Sequence, residues 1–259
     1  MKISIRMIGI ATTFFWIFMI AFFILAVYSV KDIGFELGEP TVNLTSENSL
    51  IFSLPMMINN RGYQDLSAFN ITTVIFSEDE MIITQGHTFV PLIPKGRQVT
   101  LNHNTTIDIG EMLQTHQEYL FNDSSLRVQL SIGMGLGRII PVQASTNLSL
   151  PWGAPLHNLT LGAMENTILN LTHARTEFPI AFENHALFDL VGNLQTGIFN
   201  STGSMIGEDQ SIIDTPQNSP YQGRIGFTVP INSVTEDGYL ELNFTTPLFS
   251  FGPMVIHYD

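Results

Sequence analysis

A chain of 259 residues with 44% hydrophobic and only 13% charged residues is too apolar for a disordered polymer, and it is long enough to fold as two small domains. All 23 acidic residues follow residue 30 with eight of the ten Lys and Arg; that part therefore carries a formal charge of −15 and repels nucleic acid, which speaks against a nucleic-acid partner. There is no cysteine, so disulfides cannot staple the fold and its core alone must stabilise it.

The first element in chain order is Met7–Val30, 24 residues without a charge. A helix rising about 1.5 Å per residue over this length exceeds the roughly 30 Å hydrocarbon core of a bilayer, which predicts a transmembrane helix over residues 7–30. A cleaved signal peptide is the alternative; it calls for a shorter apolar region and a small-x-small site, for which Val27-Tyr28-Ser29 is a weak match. Lys2 and Arg6 precede the segment, and Lys31, Asp32, Glu36 and Glu39 follow it. The positive-inside bias puts residues 1–6 in the cytoplasm as a short tail and the remainder outside, with the lipid bilayer as the partner of residues 7–30. Residues 31–41 read as a stalk.

Beyond the stalk the pattern turns to strands. Leu50–Ile58, Phe69–Phe76 and Leu126–Ile132 are short, β-branched or aromatic, and partly alternating, as strands with one buried face are. Turns are expected at Asn60-Arg-Gly62, Gln85-Gly86, Pro94-Lys-Gly96 and Asp237-Gly238, and their spacing favours a β-sandwich. Asp108–Phe121 stands apart. Ile109, Met112, Leu113 and Leu120 fall near helical spacing behind an N-cap Asp108, with Gln114, His116, Gln117 and Glu118 on the solvent side. Met56, Met57 and Met81 with Phe52, Phe69 and Phe76 are expected to fill a sandwich core.

The two halves resemble each other. Setting Ile58–Leu66 against Phe182–Leu190 aligns Asn60 with Asn184, Asp65 with Asp189 and Leu66 with Leu190, and then Thr72 with Thr196; three inserted residues later, Gly96-Arg97 meets Gly223-Arg224. So long a period indicates a duplicated domain rather than a solenoid. The seam is expected at Leu150–Pro155, whose two prolines and glycine interrupt strand pairing, giving domains at 42–150 and 151–259. The matched arginines are candidates to pair with Asp65 and Asp189.

The unit of strand, Asn-Asn-x-Gly, Asp-Leu, strand and later Pro-x-Gly resembles the water-stress and hypersensitive-response (WHy) domain of group 2 late embryogenesis abundant proteins. Ile58-Asn59-Asn60 stands near that family's Asn-Pro-Asn, without the proline, and Ile93–Gly96 near its small-residue turn. The resemblance implies an Ig-like β-sandwich with one helix and a binding or structural role, and it brings no catalytic residues. The expected fold is all-β: two tandem Ig-like sandwiches with one short helix, after an N-terminal transmembrane helix.

Nine Asn-x-Ser/Thr sequons begin at Asn43, Asn70, Asn104, Asn122, Asn147, Asn158, Asn170, Asn200 and Asn243, and none precedes the apolar segment. They are candidate glycosylation sites of an exterior domain, although Asn and Thr also serve as plain turn and strand residues. With the acidic charge and the lack of cysteine they suit a prokaryotic, in particular archaeal, surface protein. The seven histidines (87, 103, 116, 157, 173, 185 and 257) make no His-x-His or His-x₃₋₅-His pair, so they read as scattered and no metal site is expected. Glu78-Asp-Glu80 and Glu208-Asp209 lack the order of a calcium loop and read as solvated turns. Gly133–Gly137 lacks the context of a phosphate loop and reads as a bulge or hairpin turn. With no catalytic motif and no cofactor expected, the function expected is a non-catalytic cell-surface role in adhesion, assembly or scaffolding, with protein partners. Two alternatives remain: a pilin-like filament subunit processed near Arg6–Gly9, and a ligand-binding accessory ectodomain.

Overall fold

The computed structural model describes residues 16–21, 31–45 and 49–258. Residues 16–21 are helical, and among the described residues no helix is long and apolar enough to cross a membrane. The expected span 7–30 lies largely outside the described residues, as do the tail 1–6 and the processing site at Arg6–Gly9.

The described chain is mostly β-strand, and its ladders are antiparallel. In the first half, β3 (Ser49–Asn60) pairs along its whole length with β6 (Arg97–Asp108). Its other edge is shared by β1 (Ile33–Leu37) and β2 (Thr41–Leu44), so most of residues 31–41, expected as a stalk, is instead part of the first sheet: the backbone of residues 33–37 finds its hydrogen-bond partners along the open edge of β3. A second sheet runs in the order β5 (Ile82–Ile93), β4 (Leu66–Phe76), β7 (Ser124–Leu136), β8 (Ile140–Trp152). The second half repeats this pairing strand for strand. There β11 (His173–Asn184) pairs with β14 (Ser219–Pro230) on one side and with β9 (His157–Leu161) and β10 (Glu165–Ile168) on the other; the facing sheet runs β13 (Met205–Thr215), β12 (Leu190–Asn200), β15 (Gly238–Thr245), β16 (Ser250–Tyr258). Alternating side chains of these strands supply the core, as in a β-sandwich.

The repeat extends to details that backbone chemistry requires. Pro55 of β3 and Pro179 of β11 are central-strand prolines, which lack the N–H a ladder needs. Each sits where the edge partner changes: Gly38 N–H donates to Pro55 O (2.8 Å) and Gly162 N–H to Pro179 O (2.7 Å). Asn60 and Asn184 are fully buried. Asn60 Nδ2 donates to Gln64 O and Ile93 O, and Asn184 Nδ2 to Phe188 O and Thr215 O, while their Oδ1 atoms accept from Gly62 N and Ala186 N.

Two parts of the sequence alignment shift. Ala68, in left-handed conformation, is the extra residue of a bulge in β4 opposite β7, so the buried counterpart of Thr196 is Thr73 rather than Thr72. Arg97 lies opposite Asn60 while Ser219 lies opposite Asn184, so Arg97 corresponds to Ser219 and not to Arg224. The expected arginine–aspartate pairs do not form either. Asp65 Oδ1 accepts from Lys95 N and Asp189 Oδ1 from Gln217 N (both 2.9 Å), and Arg224 pairs instead with Glu165 (2.7 Å) and Glu177 (3.3 Å).

The segment after β6 folds as expected, but as two short helices, α1 (Ile109–Thr115) and α2 (Glu118–Phe121). Asp108 caps the first by accepting from Glu111 N at 2.9 Å. His116 is buried against Tyr119 rather than solvent-facing, because the break between the helices turns its ring inward. Gln85-Gly86 lies inside β5, not in a turn. A Cβ on Gly86 would stand 2.7 Å from Asn104 O, so the glycine lets β5 and β6 approach closely where the chain passes between sheets. Glu208-Asp209 likewise belongs to β13, whereas Glu78–Glu80 is a turn. Gly133 and Gly135 face the β4 bulge, and Gly137-Arg138, both at positive φ, form the β7–β8 hairpin. Pro151 does not interrupt pairing, since β8 is an edge strand and continues to Trp152.

The two halves share a core. Tyr119, Trp152 and Phe188 follow one another with ring centroids 6.3 and 6.4 Å apart, and Trp152 Nε1 donates to Tyr119 O at 2.9 Å. Phe121 meets Phe251 edge-on at 5.4 Å. The helices thus fill the joint between the halves.

Candidate functional site

On the rim of this joint three loops converge. Residue 123 links α2 to β7, residues 153–156 link β8 to β9, and residue 185 follows β11. Leu156 N–H donates to Leu120 O and His185 N–H to Ala154 O, both at 2.9 Å. A Cβ on Gly153 would stand 1.9 Å from His185 O, so only glycine permits this approach.

The result is a group of four titratable side chains. Asp123 Oδ2 lies 2.8 Å from His185 Nδ1, and Asp123 Oδ1 lies 3.9 Å from His157 Nδ1. The two imidazoles stack at 4.4 Å between centroids and 24° between planes, so both Nδ1 atoms face one carboxylate. Behind them Glu183 Oε2 lies 2.9 Å from His185 Nε2, and Asp123 Oδ1 also accepts from Ala154 N at 2.9 Å. His157 Nδ1 is buried and has no hydrogen-bond partner. Burial pushes the Asp123 carboxyl up, but the hydrogen bonds from Ala154 and His185, with the charge of the two histidines, outweigh it and hold the group below its ordinary value. The hydrogen bond to Asp123, and then Glu183, raise His185 above its ordinary value against an opposing contribution from burial. Such a set can share protons or hold a cation.

The expectation of scattered histidines therefore fails at His157 and His185. They are far apart in sequence and meet because β9 and β11 pair in a register that puts His157 opposite Glu183. No local spacing reports this contact. Among the described residues, Asp123, His157 and His185 form one group of three with ligand atoms within 4.8 Å of one another.

Of the sequon asparagines, Asn43, Asn104, Asn122, Asn147, Asn158 and Asn170 are exposed, and Asn70, Asn200 and Asn243 are half-buried. Asn170 and Asn200 each fold their Oδ1 onto the amide and hydroxyl of the Thr two residues on, at 2.8–3.2 Å. A separate apolar cavity of about 240 Å³ opens between the two sheets of the first half, lined by Phe52, Leu54, Ile75, Val128, Leu130 and Leu148. His103 borders it, bonded through Nε2 to Thr73 Oγ1 (2.7 Å) and through Nδ1 to Thr88 Oγ1 (2.8 Å). Burial, and then the neighbouring His87, push the His103 imidazole down.

No family model and no curated relative matches the sequence. Solved structures with some likeness include red sea bream transglutaminase (12% identity, TM-score 0.32, covering 88% of this chain and 31% of that one). A glycosyl hydrolase family 2 member from Bacteroides cellulosilyticus has 8% identity and a TM-score of 0.33, over 81% of this chain and 28% of its own. The secreted serine protease VesC from Vibrio cholerae has 13% identity and a TM-score of 0.24, over 77% and 48%. The chain spans less than half the length of each, and likeness at this level carries no argument about function.

Proposed function

We propose that the chain is a membrane-anchored cell-surface protein with a non-catalytic adhesion, assembly or scaffold role. In this reading residues 7–30 hold it in the bilayer and two tandem Ig-like domains of WHy type, which meet within residues 150–155, face the exterior. The observation that supports it best is the placement of the sequons: none of the nine asparagines is buried, and the acidic, sequon-bearing chain follows the apolar segment. Mass spectrometry of the protein taken from its native membranes should find residues 7–30 retained and glycan on several of the exposed sites. A chain that begins after residue 30 and carries no glycan defeats the reading.

The apolar cavity favours a second reading, that of an accessory ectodomain that binds a small apolar ligand between its sheets. Leu54→Trp, which fills the cavity, should then abolish binding of an apolar fluorescent probe while the fold is kept; a probe that binds the variant equally well sits elsewhere.

A further inference from the structure

We infer that Asp123, His157 and His185 form a site for a divalent transition-metal ion of the zinc class, which clasps the two halves of the molecule together at their joint. The first ground is the donor set. Two imidazole nitrogens and one carboxylate oxygen are the ligands that Zn²⁺ and its neighbours Co²⁺ and Ni²⁺ prefer, whereas Ca²⁺ and Mg²⁺ require shells of oxygen. The second is geometry. Ligands held about 2.0–2.2 Å from a tetrahedral ion stand roughly 3.3–3.6 Å from one another. The separations of 2.8 and 3.9 Å from the Asp123 oxygens to the two Nδ1 atoms bracket that range, so small side-chain rotations admit the ion.

The third ground is the supporting shell. A metal-bound histidine almost always gives its other N–H to a carboxylate, a backbone carbonyl or a water, which fixes the tautomer and turns the free lone pair toward the ion. Glu183 stands in that place on His185 Nε2, and the Ala154 N–H holds the Asp123 carboxylate from the other side. The fourth is His157 Nδ1 itself, a buried nitrogen without a hydrogen-bond partner that points at a carboxylate and a second imidazole. A metal ion would satisfy it. With three protein ligands, a water completes the tetrahedron on the solvent side, where Asp123 is about half exposed.

The ligands come from both halves: Asp123 precedes β7 in the first, while His157 opens β9 and His185 follows β11 in the second. Bound metal therefore opposes separation of the halves, a property independent of whether the chain is anchored in a membrane.

The test uses the full chain, stripped with EDTA and titrated with Zn²⁺ by calorimetry and with Co²⁺ by visible absorption. One ion per chain should bind, with the intense d–d absorption of tetrahedral Co²⁺, and Zn²⁺ should raise the melting temperature. Glu183→Gln should weaken Zn²⁺ by roughly 10–100-fold, the cost of an altered outer shell, and His157→Ala by at least as much. Asp123→Asn, which keeps an acceptor for Ala154 N–H, should weaken it likewise, while His257→Ala on the exposed face of β16 should change nothing. Melting in EDTA reports whether each variant is folded. The inference is overturned if Zn²⁺ and Co²⁺ do not bind at millimolar concentration, or if they bind and stabilise His157→Ala and Asp123→Asn as well as the parent.

Discussion

Buried Asn60 and Asn184 show how single side chains set the shape of each half. Each closes the loop between the first two long strands by giving both amide protons to backbone carbonyls and taking one back from an amide two residues on. An unsatisfied buried group costs about 1–3 kcal/mol, so Asn184→Ala, which strands several, should lower stability by roughly 3 kcal/mol in chemical denaturation. Asp189→Ala releases one exposed bond from Gln217 N and should cost about 1 kcal/mol. A loss of a few tenths at Asn184 would reduce it to a replaceable turn residue. His103 differs from its counterpart. The matching position in the second half is the buried Ile225, which leaves Thr196 Oγ1 without a partner where Thr73 has His103. Because burial depresses the folded-state value of His103, the unfolded chain binds the extra proton first as pH falls below 6.5. The stability it contributes is complete above that pH and is lost as pH falls through the depressed value. Unfolding free energy measured between pH 7.5 and 5, roughly the range in which histidine titrates, should therefore decline less steeply in His103→Gln than in the parent; parallel curves would show that His103 does not drive the decline.

At the scale of elements, the joint depends on α1, α2 and the end of β8. The Asp108 cap starts the first helix, and the aromatic run through Tyr119, Trp152 and Phe188 passes from one half into the other. Truncating a buried tryptophan costs about 3–5 kcal/mol, and here the loss falls on the contact between the halves. Trp152→Ala should both lower the melting temperature and split a single calorimetric transition into two. If the variant still melts in one transition, the halves couple by another route.

For the whole molecule, the decisive question is orientation. If residues 7–30 anchor the chain as the flanking charges direct, protease added to intact cells should remove the β-rich part and leave the anchor with its six-residue tail. Glycan should be fullest at the six exposed sequon asparagines and least at Asn70 and Asn243, which lie on interior strands of their sheets. A β-rich part that resists protease until the membrane is opened, with every sequon unmodified, reverses the orientation.

The strands at residues 50–58, 69–76 and 126–132, the α1 cap and the likeness of the two halves are legible in the sequence, because each rests on local periodicity or on turn chemistry repeated at a fixed offset; Asn60 with Asn184 and Asp65 with Asp189 align by inspection, whereas Gln85-Gly86 and Glu208-Asp209 carry turn residues yet lie inside β5 and β13. The one-residue slip at Thr72 came from the Ala68 bulge, which leaves no mark in composition, and the Arg97–Arg224 match from chance likeness of two Gly-Arg pairs. What only the tertiary structure decided is the joint. Asp123, His157 and His185 are separated by whole strands and come together through the β9–β11 register and the close approach at Gly153. Spacing along a chain reports contacts within an element, whereas a site built from two loops and the start of β9 depends on how the two halves settle against each other, which is set by the packing of Tyr119, Trp152 and Phe188 between them.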